Sequence, residues 1–173
     1  MSGGFSIRKA MPADADALPA IEQAASEVFA PIPDLAWLVE ADNMTVAQHC
    51  AFIAQGTEWV AVDAAGRVVG FLAGESADQE FHIAELDVLP ERHGRGIGRA
   101  LVETAAQEAR ESGHSALTLT TFSDIPWNAP FYARLGFTEV SGNDLGPHLR
   151  ACVDEERRKG FPMQRRCAMR RLL

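Results

Sequence analysis

The sequence predicts a mixed α/β domain in which strands and helices alternate along the chain. Three features indicate this fold class: short runs of alternating apolar and polar residues, longer segments with apolar residues at helical spacing, and Gly or Pro at many junctions. The 173 residues fit a single domain, residues 1–173, with a buried core. Strands interleaved with helices around one sheet give a three-layer α/β or α+β architecture.

The N-terminal part is predicted to contain a strand followed by two helices. Phe5–Lys9 alternates apolar and polar residues, as a half-buried strand does. Pro12 and Asp14 favour the start of a helix. The apolar positions of this helix recur at helical spacing: Leu18, Ile21, Ala25 and Val28. A second helix is predicted between an N-cap at Thr45 and a stop at Gly56.

Three strands and a long helix are predicted in the middle of the chain. Trp59–Asp63 and Val68–Gly74 are joined by a four-residue segment containing glycine, which predicts a β-hairpin. Phe81–Val88 is the next strand, and Pro90 closes it because proline cannot donate to a ladder. Gly96–Glu111 has apolar residues on one helical face and is predicted to be a helix.

The C-terminal part continues the alternation of strands and helices. Ser115–Phe122 is predicted to be a strand and Pro130–Leu135 a short helix, with Phe137–Val140 as the strand after it. Pro147–Lys159 predicts an extra helix, and Cys167–Leu172 the last strand.

Charge is distributed unevenly along the chain, whose formal net charge is −8. Residues 150–173 hold eight Lys or Arg and three acidic residues, a net charge of +5, so residues 1–149 carry −13. An acidic body disfavours nucleic acid as a partner and suits a cationic substrate, although solubility alone would also explain it.

The sequence predicts a cytoplasmic protein without a membrane span or a metal centre. The N-terminus lacks the basic start and apolar core of a signal peptide, and no apolar stretch approaches spanning length. Cys50, Cys152 and Cys167 are odd in number and form no CxxC pair. This pattern argues against a disulfide framework and against a zinc ribbon.

A glycine-rich loop separates the strand at residues 81–88 from the long helix and reads E-R-H-G-R-G-I-G-R over residues 91–99. Backbone N–H groups of such a loop converge on an anion, and the helix N-terminus adds a favourable dipole. Arg92, Arg95 and Arg99 add positive charge to an otherwise acidic body. A phosphate or pyrophosphate is therefore the predicted ligand, against the alternative of a merely flexible loop.

Two nucleotide-binding motifs fit this loop poorly. A Walker loop requires GxxxxGK[ST], whereas Gly98 is followed by Arg99-Ala100. A dinucleotide fingerprint requires GxGxxG, whereas the spacing here is GxGxG.

The sequence resembles the GNAT superfamily of N-acetyltransferases at two separate motifs. Val88-Leu89-Pro90 and His93–Gly98 are similar to the family's [Q/R]xxGx[G/A] loop, with His93 at the position where Gln or Arg is usual. Residues 131–137, Phe-Tyr-Ala-Arg-Leu-Gly-Phe, are similar to the aromatic-Tyr pair before Leu-Gly-Phe. The resemblance covers about residues 5–141 and the last strand. It implies a mostly antiparallel sheet with helices on both faces and a strand pair that splays at residues 81–88.

The resemblance also implies acetyl-CoA as cosubstrate and assigns residues to it. Backbone groups of Leu86 and Val88 would bond the thioester and the pantetheine arm, and His93 would donate a hydrogen bond or a charge. The pyrophosphate would be held by N–H groups of Gly94, Arg95, Gly96, Ile97, Gly98 and Arg99.

In this family a neutral amine attacks the thioester directly, so the enzyme must remove an ammonium proton and protonate the leaving thiolate. Tyr132 matches the family's general acid. The base is assigned to either His82 or Glu85. Strict alternation puts His82 on the same side of its strand as Leu86 and Val88 and puts Glu85 with Asp87 on the other, unless a bulge re-aims Glu85.

The segment before Tyr132 departs from the family pattern. Relatives often carry Asn seven residues before the tyrosine, where this chain has Ile125. Asn128 is predicted to be the N-cap of the short helix and is kept as a candidate cofactor-binding residue. Trp127 either lines the acceptor pocket or forms a structural corner.

Three functions remain as hypotheses. The first is acetylation of a small cationic amine, which the acidic body and the carboxylates Glu80, Glu85 and Asp87 favour. The second is a protein or peptide N-acetyltransferase, and the third is a non-catalytic acyl-CoA-binding module, which would not need Tyr132. Homodimerisation through Cys167–Leu172 is left open.

Overall fold

A mixed β-sheet runs through the computed structural model, which describes residues 4–173. Its strands are β1 (Phe5–Lys9), β2 (Glu58–Asp63), β3 (Val68–Ala77), β4 (Glu80–Val88), β5 (Ala116–Phe122), β6 (Thr138–Val140) and β7 (Arg166–Leu172). Their order in this part of the chain is β1-β2-β3-β4-β5-β7-β6, with β4 parallel to β5 and the other neighbours antiparallel. The predicted fold class is therefore confirmed.

Helices connect these strands, largely where the sequence predicts them. They are α1 (Leu18–Ser26), α2 (Val46–Gln55), α3 (Ile97–Glu111), α4 (Ala129–Arg134) and α5 (Gly146–Arg158). The hydroxyl of Thr45 accepts a hydrogen bond from the Gln48 N–H at 3.2 Å, which confirms the predicted N-cap of α2. Among residues 4–173, no helix combines the length and the apolar character that crossing a membrane requires.

The first predicted helix is shorter than its apolar pattern indicated. Regular α-helix begins at Leu18, and 3₁₀ turns precede it at Pro12–Ala17 and follow it at Glu27–Phe29. The Asp14 carboxylate accepts hydrogen bonds from the Met11 N–H and the Arg8 guanidinium, both at 2.7 Å. These bonds hold the chain in a tight turn ahead of the helix.

The chain divides into two compact units. The first comprises the described residues up to Glu75 together with Ala84–Ala105, so it includes the C-terminal part of β4 and the start of α3. A core cluster of this unit consists of buried residues from α1, β2 and β3 together with Ala10, which follows β1: Ala10, Leu18, Ile21, Val60, Phe71 and Ala73.

The second unit comprises Ser76–Ile83 and Ala106–Leu173. Leu119 of β5 lies opposite Met169 of β7, and both are buried, as is Leu149 of α5. The parallel ladder between β4 and β5 contains two pairs, Phe81 with Leu117 and His82 with Thr118.

Candidate active site

The glycine-rich loop of the first unit adopts a backbone suited to an anion. Gly94 and Gly96 have φ angles of +74° and +81°, and no atom lies within 4 Å of a Cβ built on either. Buried Ile97 anchors the start of α3 immediately after them. Arg95 and Arg99 are exposed, and neither has an ion-pair or hydrogen-bond partner among residues 4–173. The loop therefore presents backbone N–H groups and two uncommitted cations to solvent.

The turn before this loop, Pro90–Arg92, is fixed by ion pairs to the β2–β3 hairpin. Arg92 contacts the Asp63 carboxylate at 2.7 Å, and Arg67 contacts Glu91 at 3.0 Å. Arg92, which the sequence suggested would add charge to the anion site, is thus bound to a carboxylate of its own unit. This ion pair holds the turn against the hairpin.

His93 joins the loop to the end of β4. Its Nε2 donates a hydrogen bond to the Val88 carbonyl at 2.9 Å. The Leu89 N–H donates to the Val69 carbonyl, also at 2.9 Å. The Val88 carbonyl therefore already has a donor, and His93 holds strand and loop together. Leu86, the other predicted pantetheine contact, is half-buried in the same part of β4.

Glu22 of α1 lies beside Glu85 and Asp87 of β4, and we call these three residues the carboxylate cluster. One oxygen of each lies within 4.8 Å of the others. The pKa of Glu22 is raised to about 7, mainly by burial and then by Glu85, although the Met44 N–H and His49 act in the opposite direction. Burial and the neighbouring carboxylates also raise the pKa of Asp87, whose Oδ2 is buried without a hydrogen-bond partner. Glu85 and Asp87 share one side of β4, as the predicted alternation requires.

The carboxylate cluster should make stability depend on pH. Because the pKa of Glu22 rises from 4.5 to about 7 on folding, the folded state binds protons more tightly than the unfolded state between these values. The free energy of unfolding is expected to decrease as pH rises through this interval. In Glu22→Gln, the loss of unfolding free energy over this pH interval should be smaller by roughly 1–3 kcal/mol.

Denaturant titrations of both proteins at about pH 5 and about pH 8 measure this effect. Glu27→Gln is the charge-matched control, because Glu27 is exposed and lies just beyond the same helix. Equal pH dependence in the wild type and Glu22→Gln would show that Glu22 does not bind its proton more tightly in the folded state.

Glu80 contributes nothing to this cluster. It forms an ion pair with Arg170 of the second unit, with Oε1 to Nε at 2.7 Å and Oε2 to Nη2 at 3.3 Å. The sequence grouped Glu80 with Glu85 and Asp87 as support for a cationic acceptor, and the structure removes it from that group.

Tyr132 of the second unit lies on α4 and is buried, with 8% of its surface exposed. Its ring packs edge-to-face against Phe131 and Phe137, with centroids 5.1 and 5.5 Å away. Asn128 occupies the predicted N-cap position, but its side chain makes no capping bond, and its Oδ1 is buried without a partner. An unsatisfied buried acceptor is costly, so Asn128 fits a ligand N–H better than a helix cap. Trp127 beside it is 43% exposed.

His82 is buried in the second unit with both ring nitrogens engaged. Nδ1 lies 3.1 Å from the Thr118 hydroxyl and Nε2 lies 3.7 Å from the Cys152 sulfur, while the His148 ring packs against it at 4.8 Å. Burial, followed by the charge of His148, lowers the pKa of His82 to about 4. A buried imidazole with a lowered pKa is a weak proton acceptor at neutral pH.

Sequence patterns alone give no role to three residues near these sites: Glu22, His148 and Cys152. A lone acid on an amphipathic helix, such as Glu22, is most often solvated. His148 and Cys152 are spaced i and i+4 on α5, a spacing that places them on one helical face. That spacing was a usable signal, but it acquires meaning only when His82 of β4 is beside it.

The strand order with one parallel pair and the glycine loop before α3 agree with the fold that the sequence resemblance implies. The chain belongs to the acetyltransferase (GNAT) family, whose model matches residues 20–137. The resemblance inferred from the two motifs is thereby confirmed.

Individual proteins match this chain at lower levels of sequence identity, between 16% and 38% in the three examples that follow. Mycothiol acetyltransferase of Pseudarthrobacter chlorophenolicus is 33% identical over 144 residues, which cover 78% of this chain and 43% of the relative. Streptothricin acetyltransferase of Streptomyces lavendulae is 38% identical over 88 residues, covering 49% of this chain and 46% of the relative. The chain thus spans less than half the length of these curated relatives. The structure of PaiA N-acetyltransferase from Thermoplasma acidophilum in complex with coenzyme A superposes on this chain with a TM-score of 0.72. The match covers 98% of this chain and 99% of that protein at 16% sequence identity, so the two proteins share a fold.

Proposed function

We propose that this chain is an acetyl-CoA-dependent N-acetyltransferase whose acceptor is a small molecule with a cationic primary amine. Family membership supports the reaction class, and relatives named for mycothiol and streptothricin support a small-molecule acceptor. The carboxylate cluster carries the proposal, because it is a site in the first unit where a positive charge is strongly favoured.

The electrostatics of the cluster explain this preference. Three carboxylates within 4.8 Å repel one another, and burial adds to the cost of ionising them, so protons stay bound until near neutral pH. An ammonium group relieves the same repulsion and brings three N–H donors, one of which would satisfy the buried Oδ2 of Asp87. Binding a cation at this site therefore replaces a bound proton.

Cofactor-binding roles follow from the geometry of each unit. The glycine loop with Arg95 and Arg99 fits the pyrophosphate of acetyl-CoA, since it offers unpaired backbone N–H groups and two cations. The buried Oδ1 of Asn128 fits an amide N–H of the pantetheine arm.

Catalytic roles follow from the chemistry of direct transfer. Glu85 takes a proton from the ammonium, and the neutral nitrogen then forms a bond to the acetyl carbonyl carbon. The C–S bond breaks as the amide forms, and Tyr132 protonates the departing thiolate. The nitrogen loses its second proton as the amide forms, and this proton restores the Tyr132 hydroxyl, while the proton on Glu85 passes to solvent. An ammonium and acetyl-CoA thus give an amide, the CoA thiol and one released proton.

The pH dependence of acetylation should identify Glu85 as the base. The wild-type kcat/KM should rise with pH as the carboxylate cluster loses its protons, in the range where the pKa of Glu22 lies, at about 7. Glu85→Gln should lower kcat/KM by about 10²- to 10⁴-fold and remove this rise. Profiles for the variant, the wild type and the control Glu27→Gln are to be recorded with the same amine. If the rise persists unchanged in Glu85→Gln, it reflects deprotonation of the substrate amine or of another base, and Glu85 is not the base.

A further inference from the structure

The second unit contains a cluster of two imidazoles and one thiol, which we call the His-Cys cluster (His82, His148 and Cys152). One potential ligand atom from each residue lies within 4.8 Å of the other two. The Cys152 sulfur is 3.7 Å from His82 Nε2 and 3.5 Å from His148 Nε2. The reaction proposed above uses neither His148 nor Cys152.

The helix α5 and a hydrogen bond to a neighbouring residue fix the positions of His148 and Cys152. His148 and Cys152 are one turn apart on α5, which places them on the same face. The His148 N–H donates to the Asp78 carboxylate at 2.8 Å, and this bond fixes the first turn of that helix. Asp78 itself lies in the turn between β3 and β4, so the helix start is tied to the strand that carries His82.

The second ring nitrogen of His82 has a hydrogen-bond partner of its own. Its Nδ1 is 3.1 Å from the hydroxyl of Thr118, a residue that is 1% exposed and lies opposite His82 in the β4–β5 ladder. This bond fixes the ring orientation and directs Nε2 toward the other two ligands. Histidines that bind metals commonly have their second nitrogen bonded in this way.

We propose that His82, His148 and Cys152 form a zinc-binding site. Zn–S and Zn–N bonds of about 2.3 and 2.0–2.1 Å in a tetrahedral arrangement place sulfur and nitrogen about 3.5 Å apart. The two observed sulfur–nitrogen separations, 3.5 and 3.7 Å, match this spacing. One thiolate and two imidazoles are a donor set that favours zinc over magnesium or calcium. Cysteine spacing alone predicts no metal site here, because two of the three ligands are histidines and His82 lies 70 residues from Cys152.

Zinc at this site would do two things in the second unit. Three protein ligands leave a fourth tetrahedral position for water, and the proton displaced from the Cys152 thiol passes to solvent. The ion would also link α5 to β4, and through Thr118 to β5, so it should raise the melting temperature. This inference does not depend on acetyl transfer.

Cobalt titration tests the proposal directly. Untagged full-length protein, stripped of metal and kept reduced, is titrated with Co²⁺ and then with Zn²⁺. The wild type should develop a thiolate-to-cobalt charge-transfer band at one equivalent, which zinc then abolishes, and zinc should raise its melting temperature. Cys152→Ser should lose both effects. Cys50→Ser should keep both, because Cys50 is exposed on α2, outside the cluster.

Two further variants protect the test against misfolding of Cys152→Ser. His148→Gln, altered at a half-buried position, should weaken zinc by at least about tenfold, and Thr118→Val should weaken it by about 10- to 100-fold without changing the stoichiometry. No thiolate band in the wild type, the wild-type band in Cys152→Ser, or wild-type zinc affinity in His148→Gln would each overturn the proposal.

Discussion

Tyr132→Phe is expected to lower kcat for amine acetylation by about 10²- to 10⁴-fold while leaving the KM for acetyl-CoA nearly unchanged. The substitution removes only a hydroxyl, so the edge-to-face contacts of the ring with Phe131 and Phe137 are retained. What is lost is the proton that stabilises the departing thiolate. Because the leaving group gains its charge in the transition state, the effect belongs in kcat rather than in ground-state binding.

Steady-state release of CoA thiol with a verified amine acceptor measures this effect. The melting temperature of Tyr132→Phe serves as the folding control, since 92% of the residue's surface is buried and misplacement of the ring would also lower activity. If kcat were unchanged in a stably folded variant, Tyr132 would not be the acid.

Gly96→Val is expected to weaken acetyl-CoA binding by more than about tenfold. The φ angle of Gly96 is +81°, which a β-branched residue adopts only with strain, and the new side chain would project into the space that the anion needs. Gly98→Val, two residues on in the first turn of α3, should act in the same direction by blocking the helix N-terminus.

Gly56→Val is the matched control for backbone strain. Gly56 has a φ angle of +71° and open space around its Cβ, but it lies at the end of α2 in the same unit. Calorimetric titration with acetyl-CoA should give wild-type affinity for Gly56→Val and much weaker affinity for Gly96→Val. Wild-type affinity in both Gly96→Val and Gly98→Val would mean that the loop does not hold the pyrophosphate.

Local patterns were enough to predict the elements of this fold. The helix α2 lies between its caps Thr45 and Gly56, as predicted. Such caps can be predicted because they depend on one side chain and one φ angle within a few residues. The first helix was predicted too long, since apolar spacing alone does not distinguish α-helix from the 3₁₀ turns at Pro12–Ala17 and Glu27–Phe29.

The surroundings of the candidate site residues depend on contacts with residues that are distant in sequence. The sequence treated Glu80 and Glu85 alike, yet Arg170 binds Glu80, whereas Glu22 adds a third carboxylate beside Glu85. The bond from His93 to Val88 is likewise a matter of loop geometry that residue types do not determine. His82 could be proposed as a base from its strand position, but its burial against α5 follows from tertiary packing.

A screen of acetyl-CoA consumption tests the central claim most directly. Purified protein is incubated with acetyl-CoA and, separately, with polyamines, aminoglycoside-like compounds, amino acid derivatives and basic peptides, while thiol release is recorded. We predict amine-dependent release with at least one small cationic amine, abolished in Tyr132→Phe and in Glu85→Gln. Release with the peptides alone, or saturable acetyl-CoA binding without release for any amine, would contradict the account.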